Sequence, residues 1–98
     1  MRVAQASSEQ AANSATAVVT LPDGVDLHAR PAADFVRTAM GFAAGIQVGA
    51  NGREADAKSL LTVLALGAKG GTELRLTAEG EDAGTALDAL RDCVRGLA

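Results

Sequence analysis

Ninety-eight residues, 48% of them apolar, suffice for one domain with a single core and leave no room for a core enclosing a large cavity, so any chemistry belongs on the surface. Two aromatic residues, Phe35 and Phe42, with no tryptophan or tyrosine, exclude a base-stacking platform and an aromatic ligand box, and a net charge of -3 without a basic concentration excludes nucleic acid as a partner. The lone cysteine, Cys93, excludes an intramolecular disulfide or a multi-cysteine metal site and points to a reducing compartment.

The opening Met1-Arg2-Val3-Ala4 runs into Ser, Gln, Glu and Asn, not into an apolar stretch, which argues against a signal peptide or membrane insertion and for a cytoplasmic location. Residues 1–15 have no sustained apolar period and are expected to form a flexible extension, leaving residues 16–98 as the folded domain. From Thr16 to Leu21 the pattern alternates, with Ala17, Val19 and Leu21 on one face, and Pro22-Asp23-Gly24 ends this first strand. Between Ala29 and Gly41 the apolar residues Ala32, Phe35, Val36, Ala39 and Met40 recur at three and four, the spacing of an amphipathic helix.

Ile46, Val48 and Ala50 alternate up to Asn51-Gly52, the dipeptide a primed turn prefers, and Glu54 to Ala57 return as the second arm of a hairpin. Ser59 is placed to cap a short helix carrying Leu60, Leu61, Val63 and Leu64 that closes near Gly67. Leu74, Leu76 and Ala78 mark a last strand, followed by a helix with the stripe Ala83, Ala86, Leu87, Leu90, Val94 and Leu97. The order βαββαβα, with strands apolar on one side only, predicts an open-faced sandwich: one face of the sheet under the helices, the other wet.

The chemistry concentrates at the only histidine, in the run Leu27-His28-Ala29-Arg30-Pro31. Proline is tolerated in a first helical turn, so His28 is predicted to cap the first helix, where unpartnered amides and the macrodipole favour an anion. The amides of Ala29 and Arg30 could donate to a phosphate on His28, with the Arg30 guanidinium as a charge-assisted partner. Neutral imidazole is the form that attacks phosphorus. A solvated cap or a packed side chain is the alternative reading of a lone histidine here.

Three other features are read as structural. Cys93 lies beside Val94 in the last stripe, where a thiol behaves as a small buried hydrophobe. Gly67, Gly70 and Gly71 around Lys69 do not have the spacing of a nucleotide loop and fit a helix exit turning into a strand. Glu79, Glu81 and Asp82 complement the dipole of the last helix and require no metal.

Taken together, HARPAADFV from His28, the Asn51-Gly52 turn, AKSLL from Ala57, LGAKGGT from Leu66 and AEGED from Ala78 closely resemble the HPr family, the histidine-containing phosphocarriers of the bacterial phosphoenolpyruvate-dependent sugar phosphotransferase system. The resemblance runs from about Thr16 to Ala98 and implies an α+β fold, a four-stranded antiparallel sheet covered on one face by three helices. It implies that His28 accepts a phosphoryl group on Nδ1 from enzyme I and passes it to an enzyme IIA domain, with Arg30 balancing the charge. Such a protein is a substrate of both neighbours, not an independent catalyst, and needs no cofactor or metal.

Ser59 matches the family's regulatory serine, the target of an HPr kinase/phosphorylase, although serine is also a preferred N-cap. Leu60, Leu61 and Leu64 read as a mixture of core and docking surface, with Leu60 the favoured exposed anchor, and Arg30, Lys58 and Arg37 could steer an acidic partner. One departure stands out: Gly24 is followed by Val25-Asp26-Leu27, so the approach to the histidine is about two residues longer than usual. Asp26 could there repel the phosphate, hold the unphosphorylated ring, or point into water. A specialised carrier for dihydroxyacetone or a nitrogen-related branch, and a regulatory protein acting through Ser59, are the alternatives. A monomer is expected, since no long apolar surface stripe is left over.

Overall fold

The computed structural model describes residues 13–97. The chain runs through β1 (Ser14–Thr20), α1 (Ala29–Met40), β2 (Gly45–Ala50), β3 (Arg53–Asp56), α2 (Leu60–Ala65), β4 (Glu73–Glu79) and α3 (Ala83–Arg95). The four strands form one antiparallel sheet in the order β1-β4-β2-β3. The last strand therefore lies inside the sheet, with Leu76 paired to Ala17 on one side and Val48 on the other.

Two sequence expectations shift at their edges. The first strand starts at Ser14 and not at Thr16, because β4 extends to Glu79 and offers a ladder partner to Ser14 and Ala15. The expected flexible extension, residues 1–15, otherwise lies outside the described residues. Met40, assigned to the buried stripe of the first helix, is 64% exposed. Ala39 fills the inward position one residue earlier, and a step of about 100° along the helix carries Met40 off the core face.

Leu74, Leu76 and Ala78 of β4 face the helices, while Glu73, Arg75, Thr77 and Glu79 face outward. Phe35 and Val36 of α1, Val63 of α2 and Leu87, Leu90 and Val94 of α3 cover the inner face in one continuous core. Each fully buried side chain of this size stabilises the fold by about 1.5–3 kcal/mol before chain entropy is counted. Burial alternates along β4 because only one sheet face is covered, which is the open-faced arrangement.

The hairpin turn has Asn51 at φ 55° and Gly52 at φ 76°, the left-handed pair of a primed turn. Its side chains also serve α2: Asn51 Nδ2 donates to the Leu66 carbonyl at 3.2 Å and Arg53 Nη1 to the Ala65 carbonyl at 3.1 Å, satisfying oxygens orphaned at the helix end. At the opposite end of the sheet, Asp82 departs from its expected role. Its side chain makes no bond to its own helix; instead Oδ2 accepts from the Ala43 amide and Oδ1 from the Ala44 amide, both at 2.9 Å. The amide of Ala43 is the largest influence holding this carboxyl below its ordinary value, helped by the Ala44 amide and by Lys58 against partial desolvation. Gly80, at φ 142°, passes so close that an added Cβ would stand 2.9 Å from Ala44 Cα.

Candidate functional site

His28 is exposed and stands at the N-cap of α1 with extended backbone angles, φ -144° and ψ 159°. Its neighbours fix it from both sides: Leu27 is 1% exposed and Ala32 is fully buried. The His28 side chain makes no cap hydrogen bond, so the imidazole is available to an outside group. Ala29, the first helical residue, has φ 49°, a left-handed conformation that costs a non-glycine residue roughly 1–3 kcal/mol. This strain directly follows the histidine and was not legible in the sequence, since alanine carries no signal for positive φ.

At the start of α1 the amides of Ala29 and Arg30 have no intrahelical acceptor, and Pro31 has no amide to satisfy. Arg30 is exposed, and its guanidinium enters no ion pair or side-chain hydrogen bond among the described residues. Its counterpart along the helix, Arg37, is engaged: its Nη1 lies 3.1 Å from Asp34 Oδ1. The cation nearest the histidine in sequence is thus the free one.

The approach loop is strapped to the segment before β4. Leu21 exchanges bonds with this segment, its amide donating to the Thr72 carbonyl and its carbonyl accepting from Gly71, both at 2.9 Å. Leu27 rejoins it with an amide that donates to the Ala68 carbonyl at 2.8 Å. Between these anchors, Asp26 Oδ1 accepts from the Gly70 amide at 2.9 Å, and the Asp26 carbonyl accepts from the His28 amide at 2.9 Å. Asp26 is exposed, as one of the three expectations has it, but its carboxylate is also bound to a backbone amide, which none of them includes. The glycine reading also divides, because Gly67 and Gly71 have positive φ as an exit turn requires, whereas Gly70 is demanded by packing. A Cβ there would lie 2.6 Å from the Gly24 nitrogen and 2.9 Å from the Pro22 oxygen.

Ser59 is half-buried and caps α2, its Oγ accepting from the Thr62 amide at 3.5 Å. Val63 faces the core, Leu64 is half-buried, Leu60 is 42% exposed and Leu61 80% exposed, which makes Leu61 the more prominent surface leucine. Lys58 points its Nζ at the Phe42 carbonyl, 2.7 Å away, and so is committed to the turn after α1. Cys93 is half-buried and not sealed in the core, because it lies at the margin of the stripe whose inward position is taken by Val94. Among the described residues no cluster of three or more His, Cys, Asp or Glu is placed to hold a metal ion. No described helix is long and apolar enough to cross a membrane.

These elements recur in known proteins. The family model described as the PTS HPr component phosphorylation site matches residues 13–95. A phosphocarrier protein HPr of Haloferax volcanii is 47% identical over 79 residues, covering 79% of this chain and 86% of that protein. Another, of Mycoplasma capricolum, is 38% identical over 76 residues, covering 78% of this chain and 83% of that protein. A multiphosphoryl transfer protein of Xanthomonas campestris is 45% identical over 79 residues, 81% of this chain but 9% of that much longer protein. Among solved structures, a phosphocarrier protein HPr from Bacillus anthracis matches with a TM-score of 0.78 at 36% identity, covering 83% of this chain and 96% of that one. The chain belongs to the HPr family of the phosphotransferase system, as a phosphocarrier that serves the system's phosphotransfer partners and is not itself a catalyst.

Proposed function

We propose that His28 is the phosphoryl acceptor, loaded by phosphohistidine on enzyme I and unloaded by an enzyme IIA domain in the cytoplasm. The observation that carries this reading is the exposed imidazole at a helix start, beside two acceptor-free amides and an unpaired guanidinium, in a chain of this family. In the transfer step the lone pair of neutral Nδ1 attacks phosphorus while Nε2 holds the ring proton. The bond from phosphorus to the donor nitrogen breaks, and its electron pair stays on the donor imidazole. The Ala29 and Arg30 amides and the Arg30 side chain then face the transferred oxygens as charge-assisted donors.

The partner surface in this reading is made by Arg30, Leu60, Leu61 and Leu64. Leu27 donates to Ala68, just beyond the end of α2, and this supports α2 and the histidine as parts of one face. Lys58 contributes less than its charge suggests, because its ammonium is held at the Phe42 carbonyl. The open sheet face carries Thr16, Arg75 and Thr77 among its exposed residues, which supports a monomer.

A second reading concerns Ser59, whose hydroxyl holds only a long cap bond to Thr62. A kinase of the HPr kinase/phosphorylase type would place a dianion there, beside the docking leucines, and repel an acidic partner. Onward transfer tests the main reading: protein loaded from phosphoenolpyruvate through enzyme I should lose its phosphate on addition of a IIA domain, which gains it. Loaded protein that keeps its phosphate with every IIA domain of the source cell would contradict a relay role.

A further inference from the structure

The approach to His28 leaves the sheet at Leu21 and rejoins the neighbouring segment at Leu27, so residues 22–26 bulge away from the backbone partners that segment offers. Gly70 sits in the gap, and the carboxylate of Asp26 supplies the acceptor that the bulged backbone does not. The same residue holds the histidine through its main chain, since the His28 amide donates to the Asp26 carbonyl. Asp26 is thus bonded at one end to a fixed loop and at the other to the residue whose ring must meet phosphorus.

We propose that Asp26 is a positioning residue for phosphoryl transfer, fixing the His28 backbone by pinning the approach loop to Gly70; this rests on the reading of His28 as the acceptor. The pin is specific in shape as well as in its hydrogen bond. Gly70 meets the backbone of Pro22, Gly24 and Val25 so closely that any side chain there must push the loop outward. Backbone strain at Ala29 sharpens the need, because a left-handed residue persists only where its surroundings hold it. With the pin removed, the loop remains tethered by Leu27 but gains freedom at the residue next to it. The loss therefore falls on alignment of the nucleophile and not on recognition of the donor.

The test measures kcat and KM for the carrier as a substrate of enzyme I, with thermal unfolding alongside, in the wild type, Asp26→Asn, Asp26→Ala and Gly70→Ala. Asp26→Ala is expected to lower kcat about tenfold with KM little changed and the unfolding midpoint nearly constant. Asp26→Asn keeps an oxygen acceptor for Gly70 and is expected to restore most of the rate. Gly70→Ala should slow loading as Asp26→Ala does and, unlike it, lower the unfolding midpoint, because its Cβ would stand 2.6 Å from the Gly24 nitrogen; a double variant, Asp26→Ala with Gly70→Ala, should be no slower than the slower single one. A wild-type rate in Asp26→Ala, or Asp26→Asn as slow as Asp26→Ala, overturns the proposal. Wild-type protein that takes no phosphate from active enzyme I overturns the His28 reading and this inference together, whereas loading with unchanged variants overturns this inference alone.

Discussion

The amide of Leu27 donates to the carbonyl of Ala68 at 2.8 Å, joining the residue before the histidine to the chain just beyond α2. Two segments far apart in sequence are thereby brought to one surface, with the buried Leu27 side chain as the anchor beneath His28.

Leu27→Ala should cost about 2–5 kcal/mol, the range for emptying a buried leucine site, and denaturant unfolding measures it. Because the main-chain bond to Ala68 survives the substitution, the fold should persist at moderate temperature. Its loading by enzyme I should nevertheless be slower than that of the wild type under the same conditions.

Arg30 is exposed and unpaired, so Arg30→Ala should change stability by less than about 0.5 kcal/mol. Loading of His28 should fall about tenfold, as expected when one charge-assisted donor to phosphate is lost. Arg30→Lys keeps the charge but not the planar fork, and should lie between the two. Equal rates in all three proteins would remove Arg30 from the phosphate site.

Asp82 gives a pH prediction with a definite sign. Its carboxyl is held below the ordinary 3.8, so its contribution to stability is complete above about that pH and is lost as the pH falls through the lowered value. Asp82→Asn removes the anion that Ala43 and Ala44 bind. The stability gap between wild type and variant should therefore be constant near neutrality and narrow below pH 4, as followed by urea unfolding at a series of pH values.

Gly80→Ala meets two obstacles at once, a φ of 142° and a contact of 2.9 Å with the Ala44 backbone. A loss of roughly 2 kcal/mol or more is expected. Gly84→Ala has nothing within 4 Å of the new Cβ and lies inside α3, so it should be neutral or stabilising and serves as the control.

The periodicity of the sequence was enough for the element order, the Asn51-Gly52 turn, the Ser59 cap and the helix start at His28, because each is a local signal. What escaped it is long-range pairing. Asp26 and Gly70 are bonded across 44 positions, Asp82 and Ala44 across 38, and Asn51 and Leu66 across 15. An aspartate that serves a remote amide looks in sequence like one that serves its own helix or solvent, which is why the partners of Asp26 and Asp82 are visible only in the fold. The same holds for Lys58, whose ammonium donates to a backbone carbonyl that carries no sequence mark.

Phosphoryl acceptance by His28 is read by intact mass after incubation with phosphoenolpyruvate and a cognate enzyme I. One added phosphate is expected on the wild type, removable by acid as a phosphorus–nitrogen bond should be, and none on His28→Ala. A wild type that stays unmodified beside an active enzyme I, or a His28→Ala protein that still gains the phosphate, would contradict it.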